Sequence, residues 1–188
     1  MLDLITKITH KIEEQAAEAG FVFRLASGYY KDVITREILL AKIVKTDRIL
    51  CIGGGICPFS AILIHQKTGA HVTVIDNNQA CVPKARGVID KLGINEHVEV
   101  VFQDGTCDSV PFENFSVIHL ALQVAPMEAV FAQAAARAKI GARLLIRRPK
   151  KYLANMYCPS FTKALDGQPY TTHNSGNIGC TLLYTKQK

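Results

Sequence analysis

The chain is 188 residues long, 48% hydrophobic, with a formal charge of +6, which bounds it to one domain with a sizeable core and excludes a disordered or low-complexity chain. No apolar run approaches the roughly 20 residues of a membrane span, and the acid-bearing amphipathic N-terminus has neither signal-peptide nor transit-peptide character, so a cytoplasmic protein without a membrane partner is expected. The positive excess is scattered, apart from Arg143, Arg147, Arg148, Lys150 and Lys151, and lacks the interleaved aromatics of a nucleic-acid-binding stripe, so no nucleic-acid partner is expected.

Residues 2–19 read as a helix. Leu2, Ile5, Ile8, Ile12 and Ala16 recur on one face, with Lys7, Lys11, Glu13, Glu14 and Glu18 on the other, and Gly20 is a natural stop. A loop is expected from Phe21 to Lys31. Its Phe21, Phe23, Tyr29 and Tyr30 either line a pocket mouth or plug the gap between two helices. A second helix, about Asp32 to Val44, then leads to the first strand.

The stretch Ile49–Asp76 organises the rest. Ile49, Leu50, Cys51 and Ile52 form an all-apolar run, the pattern of a central parallel strand buried on both faces. Gly53, Gly54 and Gly55 follow, so the backbone can turn sharply and a ligand can approach it closely. Pro58 suits a first helical turn, Phe59, Ile62 and Leu63 supply the helix's apolar face, and Gly69 ends it. His71 to Ile75 is a second strand, with Asp76 at its carboxyl end. A glycine turn feeding a helix N-terminus, with an acid about 20 residues on to accept ribose hydroxyls, is the βαβ half of a nucleotide-binding fold. A dinucleotide fingerprint wants a third glycine where Pro58 stands, which weighs against NAD or FAD. S-adenosylmethionine (SAM) has no pyrophosphate to cradle and fits this loop better.

A helix over about Asn78–Leu92 and a strand over Val98–Phe102 follow, ending in Gln103-Asp104-Gly105-Thr106. Asp104 is placed to bind an exocyclic amine such as that of adenine, although Asp-Gly is also a common turn pair. Asn77 and Gly105, beside the two acids, and Leu122, after strand four (Phe115–Leu122), complete the expected cofactor contacts. Gln123 is a candidate substrate contact. His119 lies inside the apolar run VIHLAL, where a core role is the commoner one and a base the sharper one. After an Ala-rich helix (Pro126–Lys139) comes strand five, Gly141–Arg148. Its Arg147 and Arg148 either clamp an acceptor's carboxylate or phosphate or form a solvated strand end. Lys150–Phe161 reads as loop and short helix, and PYTTH and GCTLLYT read as a closing hairpin around Asn174–Asn177. The six cysteines show no CxxC and no zinc spacing, so reduced, buried thiols and no metal are expected.

Alternating strands and helices imply a mostly parallel sheet with helices on both faces and a C-terminal antiparallel hairpin. The expected organisation is a single SAM-binding domain, 1–188, with a helical cap over 1–45 and a Rossmann-like core over 46–188. From about residue 30 onward the chain resembles the class I SAM-dependent methyltransferases. Within them it is similar to the nicotianamine synthase-like group, in Gly53-x-Gly55-x-x-Pro58, in VIHLALQV, in Arg147, in Tyr157-Cys158-Pro159 and in Tyr29-Tyr30. It departs from the wider superfamily at Cys51, where an acid is usual. The resemblance implies SAM as cofactor, with Tyr29, Tyr30 and His119 as candidate catalytic residues.

Both reactions open to a SAM enzyme of this kind are in-line substitutions at a sulfonium, for which a protein mainly positions the partners and excludes water. Methyl transfer to a small-molecule acceptor is the first reading. Transfer of the aminocarboxypropyl arm, the nicotianamine synthase reaction, is the second. A SAM-binding protein without catalysis is a third, and a homodimer that closes the cleft is a further expectation.

Overall fold

The computed structural model describes residues 20–156, 165, 167–174 and 176–188. The helix expected over 2–19 and the Tyr157-Cys158-Pro159 motif lie outside the described residues. In chain order the elements are α1 (Gly20–Ala41), β1 (Arg48–Ile52), α2 (Phe59–Thr68), β2 (His71–Asp76), α3 (Cys81–Lys91), β3 (Val98–Phe102), β4 (Val117–Leu120), α4 (Met127–Arg137), β5 (Arg143–Pro149), β6 (Tyr170–Thr172) and β7 (Ile178–Thr185), with short 3-10 turns at Phe112–Asn114 and Lys151–Met156.

The strands form one seven-stranded sheet in the order β3-β2-β1-β4-β5-β7-β6. β1 to β5 pair in parallel, and β7 runs antiparallel to both β5 and β6. This is the expected Rossmann-like architecture with its antiparallel C-terminal pair. Its first two strands are as apolar as they are because helices cover both faces. The period-two alternation of β4 and β5 sorts the core. Val117 and Leu145 join the cluster built with Ile34 of α1, Phe59 and Ile62 of α2, and Val88 and Ile89 of α3. Ile118, Leu120, Leu144 and Ile146 join the opposite cluster with Val130 and Ala134 of α4. Each such fully buried aliphatic contributes about 1.5–3 kcal/mol relative to exposure.

The expected loop from Phe21 to Lys31 is instead the first half of α1, and the helix expected at Asp32–Val44 is its second half. Gly20, the first described residue, lies within this helix. Gly28 sits mid-helix, with nothing within 4 Å of where a Cβ would lie. Its cost of about 1 kcal/mol is offset by the buried face of Val33, Ile34 and Ala41.

The foot of α1 is bound to the sheet. The Arg143 guanidinium, at the start of β5, donates to the carbonyls of Ala41 and Lys42 and pairs with Asp47. Asp47 also accepts from the Ser116 hydroxyl at 2.7 Å and the Val44 N–H at 2.9 Å. The last carbonyls of the helix, orphaned by its geometry, thus find donors from the core. α1 consequently runs against the parallel strands, and its earlier turns lie toward their carboxyl ends.

Candidate active site

Strand order reverses between β2-β1 and β1-β4, so the crevice at the carboxyl end of β1 is the switch point where open α/β sheets take ligands. The glycine turn lies there. Gly53 has φ +83° and donates its N–H to Ile75 O at 2.9 Å. A Cβ at Gly54 would lie 2.3 Å from Val74 Cγ1, so only glycine lets the turn rest on β2. Pro58 caps the start of α2, and its carbonyl accepts from the Ile62 N–H at 3.0 Å.

Asp76 braces this loop. Its Oδ2 accepts the Gly55 N–H at 2.7 Å and its Oδ1 accepts the Asn78 N–H at 2.8 Å. Each carboxylate oxygen has a further lone pair with which a diol could bond. The Gln103 N–H donates to Asp76 O at 3.0 Å, joining the β2 and β3 loops. Asp104 Oδ1 accepts the Thr106 N–H at 2.8 Å and hydroxyl at 2.7 Å. Those two bonds, with a third from the Asn77 side chain, hold its carboxyl below the usual carboxylate value. Gly105 packs beneath, where a Cβ would lie 3.1 Å from both Ile52 and Val130. The structure therefore brings Gly53, Gly54, Gly55, Pro58, Asp76, Asn77, Asp104 and Gly105 to one edge of the sheet. Leu122 is buried beyond β4 with Val33 and Ile178, and Tyr30 packs against that cluster. Gln123 is exposed.

Tyr29 and Tyr30 lie within α1, not in a loop. The Tyr30 ring stacks on Phe59 of α2, with centroids 5.5 Å apart and planes at 10°. The Arg147 guanidinium carbon lies 5.6 Å from the Tyr30 centroid, within cation–π reach.

Arg147 and His119 meet at a residue that no sequence motif singles out, Glu37 of α1, which is fully buried. Arg147 donates from Nε to Glu37 Oε1 at 2.8 Å and from Nη2 to Oε2 at 2.9 Å, a bidentate fork. Thr181 Oγ1 donates to Oε1 at 2.7 Å, and His119 Nε2 lies 3.2 Å from Oε2. His173 Nε2 lies 2.8 Å from Thr181 Oγ1. Burial pushes the Glu37 carboxyl up, but Arg147 and His119 outweigh it and hold it far below the usual carboxylate range. Burial, with Arg147 adding to it, keeps His119 below its ordinary value, and burial pushes the Cys51 thiol beneath this network up to about 12. Arg147 and Arg148 do not form the joint clamp expected of them. Alternation along β5 sends them to opposite faces, and Arg147 is engaged with Glu37.

The missed members left a faint signal. Glu37 sits on the apolar stripe of Val33, Ile34 and Ala41, a place where a carboxylate persists only with a buried partner. His119 and Arg147 interrupt apolar strands in the same way. Among the described residues no group of three His, Cys, Asp or Glu side chains could hold a metal ion, and no helix is long and apolar enough to cross a membrane.

No family model matches the chain. It is 25% identical over 130 residues to an L-histidine 2-aminobutanoyltransferase of Yersinia pestis, which covers 69% of this chain and 48% of that protein. The chain thus spans about half the length of the curated relative it matches. Among solved structures it is similar to a point mutant of the nicotianamine synthase MtNAS in complex with S-adenosylmethionine (TM-score 0.79, 21% identity, 99% of this chain and 74% of that one). It is also similar to a putative S-adenosyl-L-methionine-dependent methyltransferase from Methanococcus maripaludis (TM-score 0.70, 13% identity, 95% and 94%). The class I methyltransferase fold expected from the short motifs therefore extends over the described chain, and the likeness to the nicotianamine synthase-like group is one of overall fold as well.

Proposed function

We propose that the chain binds SAM at the Gly53–Gly55 turn and transfers part of it to a small-molecule acceptor. The observation that carries this reading is the Gly55–Asp76 bond at the switch point. It sets the loop's backbone and a carboxylate side by side, with an acceptor lone pair left on each carboxylate oxygen for the ribose. Asn77 and Asp104 then face the adenine side, and Leu122 and Tyr30 lie toward the transferred group. The solved MtNAS complex with S-adenosylmethionine and the bound S-adenosyl-L-homocysteine of a Salinibacter ruber RNA methyltransferase with this fold support the cofactor.

The residues alone rank methyl transfer first. The Yersinia relative and the MtNAS structures, one of them holding MTA and tNA, give comparable support to transfer of the aminocarboxypropyl arm to an amine, and that is the reading taken to the test. In that reaction the acceptor nitrogen attacks Cγ of the methionine arm, the C–S bond breaks, and its electron pair goes to sulfur to give methylthioadenosine. The protein's part is to align nitrogen, carbon and sulfur and to exclude water. Incubation with SAM and L-histidine, other α-amino acids and polyamines, followed by nucleoside analysis, tests this. Methylthioadenosine is expected. S-adenosylhomocysteine would restore methyl transfer, and tight SAM binding with neither product would leave a binding protein.

A further inference from the structure

The crevice at the switch point has two lips. One follows β1 and runs from the glycine turn through Pro58 to Phe59, the first residue of α2. The other follows β4 and carries Ala121, Leu122 and Val124. They approach each other at Gly53, where a Cβ would lie 3.0 Å from Val124 Cγ2 and 3.4 Å from Ala121 Cβ. Tyr30 stands between them. Its ring stacks on Phe59, and it packs against the cluster of Leu122, Val33 and Ile178.

What fixes this ring is not α1 alone. Tyr30 lies two turns before Glu37 on the same face of the helix, and the Arg147 guanidinium meets both residues. It forks to the Glu37 carboxylate through Nε and Nη2, while its Cζ lies 5.6 Å from the Tyr30 centroid. Two parallel bonds set the plane of the guanidinium. Thr181 and His119 engage the same carboxylate, so Glu37 cannot turn to release it. Arg147, His119 and Thr181 come from β5, β4 and β7. The phenol ring is thus braced by the sheet as well as by Phe59, and an arginine that is 4% exposed still bears on the crevice through the residue it touches.

We propose that Arg147, fastened by Glu37, is a positioning residue for Tyr30 and holds its ring against Phe59 as the wall beside the transferred part of SAM. The wall role rests on the SAM-transferase reading above. A lysine would not replace this arginine. An ammonium is a point charge, whereas the guanidinium forks along one edge and keeps a flat surface for a ring.

The double variant Glu37→Leu/Arg147→Met tests the proposal, since it leaves no lone charge inside. In NMR of the full chain, the Overhauser contact between the ring protons of Tyr30 and Phe59 should be strong in the parent and weak in this variant. An intact contact in the folded variant would overturn the hold on the ring. With L-histidine as probe acceptor, kcat for methylthioadenosine release should fall about tenfold or more, while calorimetric SAM affinity, carried by the glycine turn and Asp76, stays within about threefold. Tyr30→Leu should lower kcat to a similar level, and the triple variant should be no slower than Tyr30→Leu, because Arg147 acts through the ring. A parental kcat in the double variant, or losses that simply add in the triple, would overturn the positioning role. Should the double variant not fold, Arg147→Lys takes its place, with a weakened ring contact and a lowered kcat expected and parental values for both refuting. A parent chain that binds no SAM sinks the proposed function and the wall with it, and the ring contact then judges the hold of Arg147 on Tyr30 by itself.

Discussion

Glu37→Gln probes the buried network with almost no change of shape. Glu37 accepts two bonds from Arg147 and one from Thr181 and faces His119. A glutamine keeps one oxygen and sets an NH2 where the other stood. If the amide NH2 takes the Oε2 side, His119 can switch tautomer and accept from it, but Arg147 Nη2 loses its partner. If it takes the Oε1 side, Arg147 Nε and the Thr181 hydroxyl lose theirs. In either case a guanidinium that is 3% exposed is left without a counter-charge. Breaking one side of such a pair costs about 3–5 kcal/mol. Taking about 4 kcal/mol, and about 2–4 °C per kcal/mol for a domain of this size, Tm should fall by roughly 8–16 °C. Urea denaturation followed by circular dichroism measures it, with an unchanged slope showing that the unfolded state is not at issue. The doubly apolar E37L/R147M chain should regain most of the loss, because no lone charge remains inside. A loss under about 1 kcal/mol for E37Q would mean that the pair is solvated, and the energetics assigned to it would fail.

Three further outcomes follow from the same geometry. Stability should decline as pH falls below 6.5, because His119 and His173 are held below that value when folded and the unfolded chain binds more protons. The Glu37 contribution persists further, present above its ordinary 4.5 and lost only as acid reaches its lowered folded value; melting curves across pH that are flat down to 4.5 would contradict this. Asp76→Ala should weaken SAM binding by about 1–3 kcal/mol, since it removes a charged acceptor from both loop and ribose; calorimetry giving the parent affinity would remove the ribose assignment. Gly54→Ala should destabilise by about 1–3 kcal/mol through overpacking against Val74, and G54A/V74A should recover part of it, as read by the same urea titration.

The sheet, the helices after β1 and the glycine–acid pair were legible because each rests on local pattern. β1 and β2 are short apolar runs bounded by glycine, and the gap from Gly53 to Asp76 follows from one helix and one strand. α1 was not legible. Gly20, Gly28 and four aromatics look like loop chemistry, and only the packing of Val33 and Ile34 under the sheet shows why the helix runs through. The Glu37 network was hidden for a different reason. Its bonds join residues 82, 110 and 144 positions apart, and no window along the chain contains both ends of any of them. Polar residues inside apolar stripes were visible one at a time, but their pairing is a property of the register between β4, β5 and β7. Arg147 and Arg148 show the converse error, since neighbours in sequence look like a natural pair until strand alternation parts them.

The fastening of α1 by Arg143 and Asp47 has a mechanical consequence. The helix is anchored at Ala41, whose carbonyl the Arg143 guanidinium holds, while Tyr30, farther up, stacks on Phe59 at the start of α2. Such a rod can swing but not slide. Any displacement that admits a ligand pivots about this base, so the upper turns travel furthest and the lowest turn barely stirs.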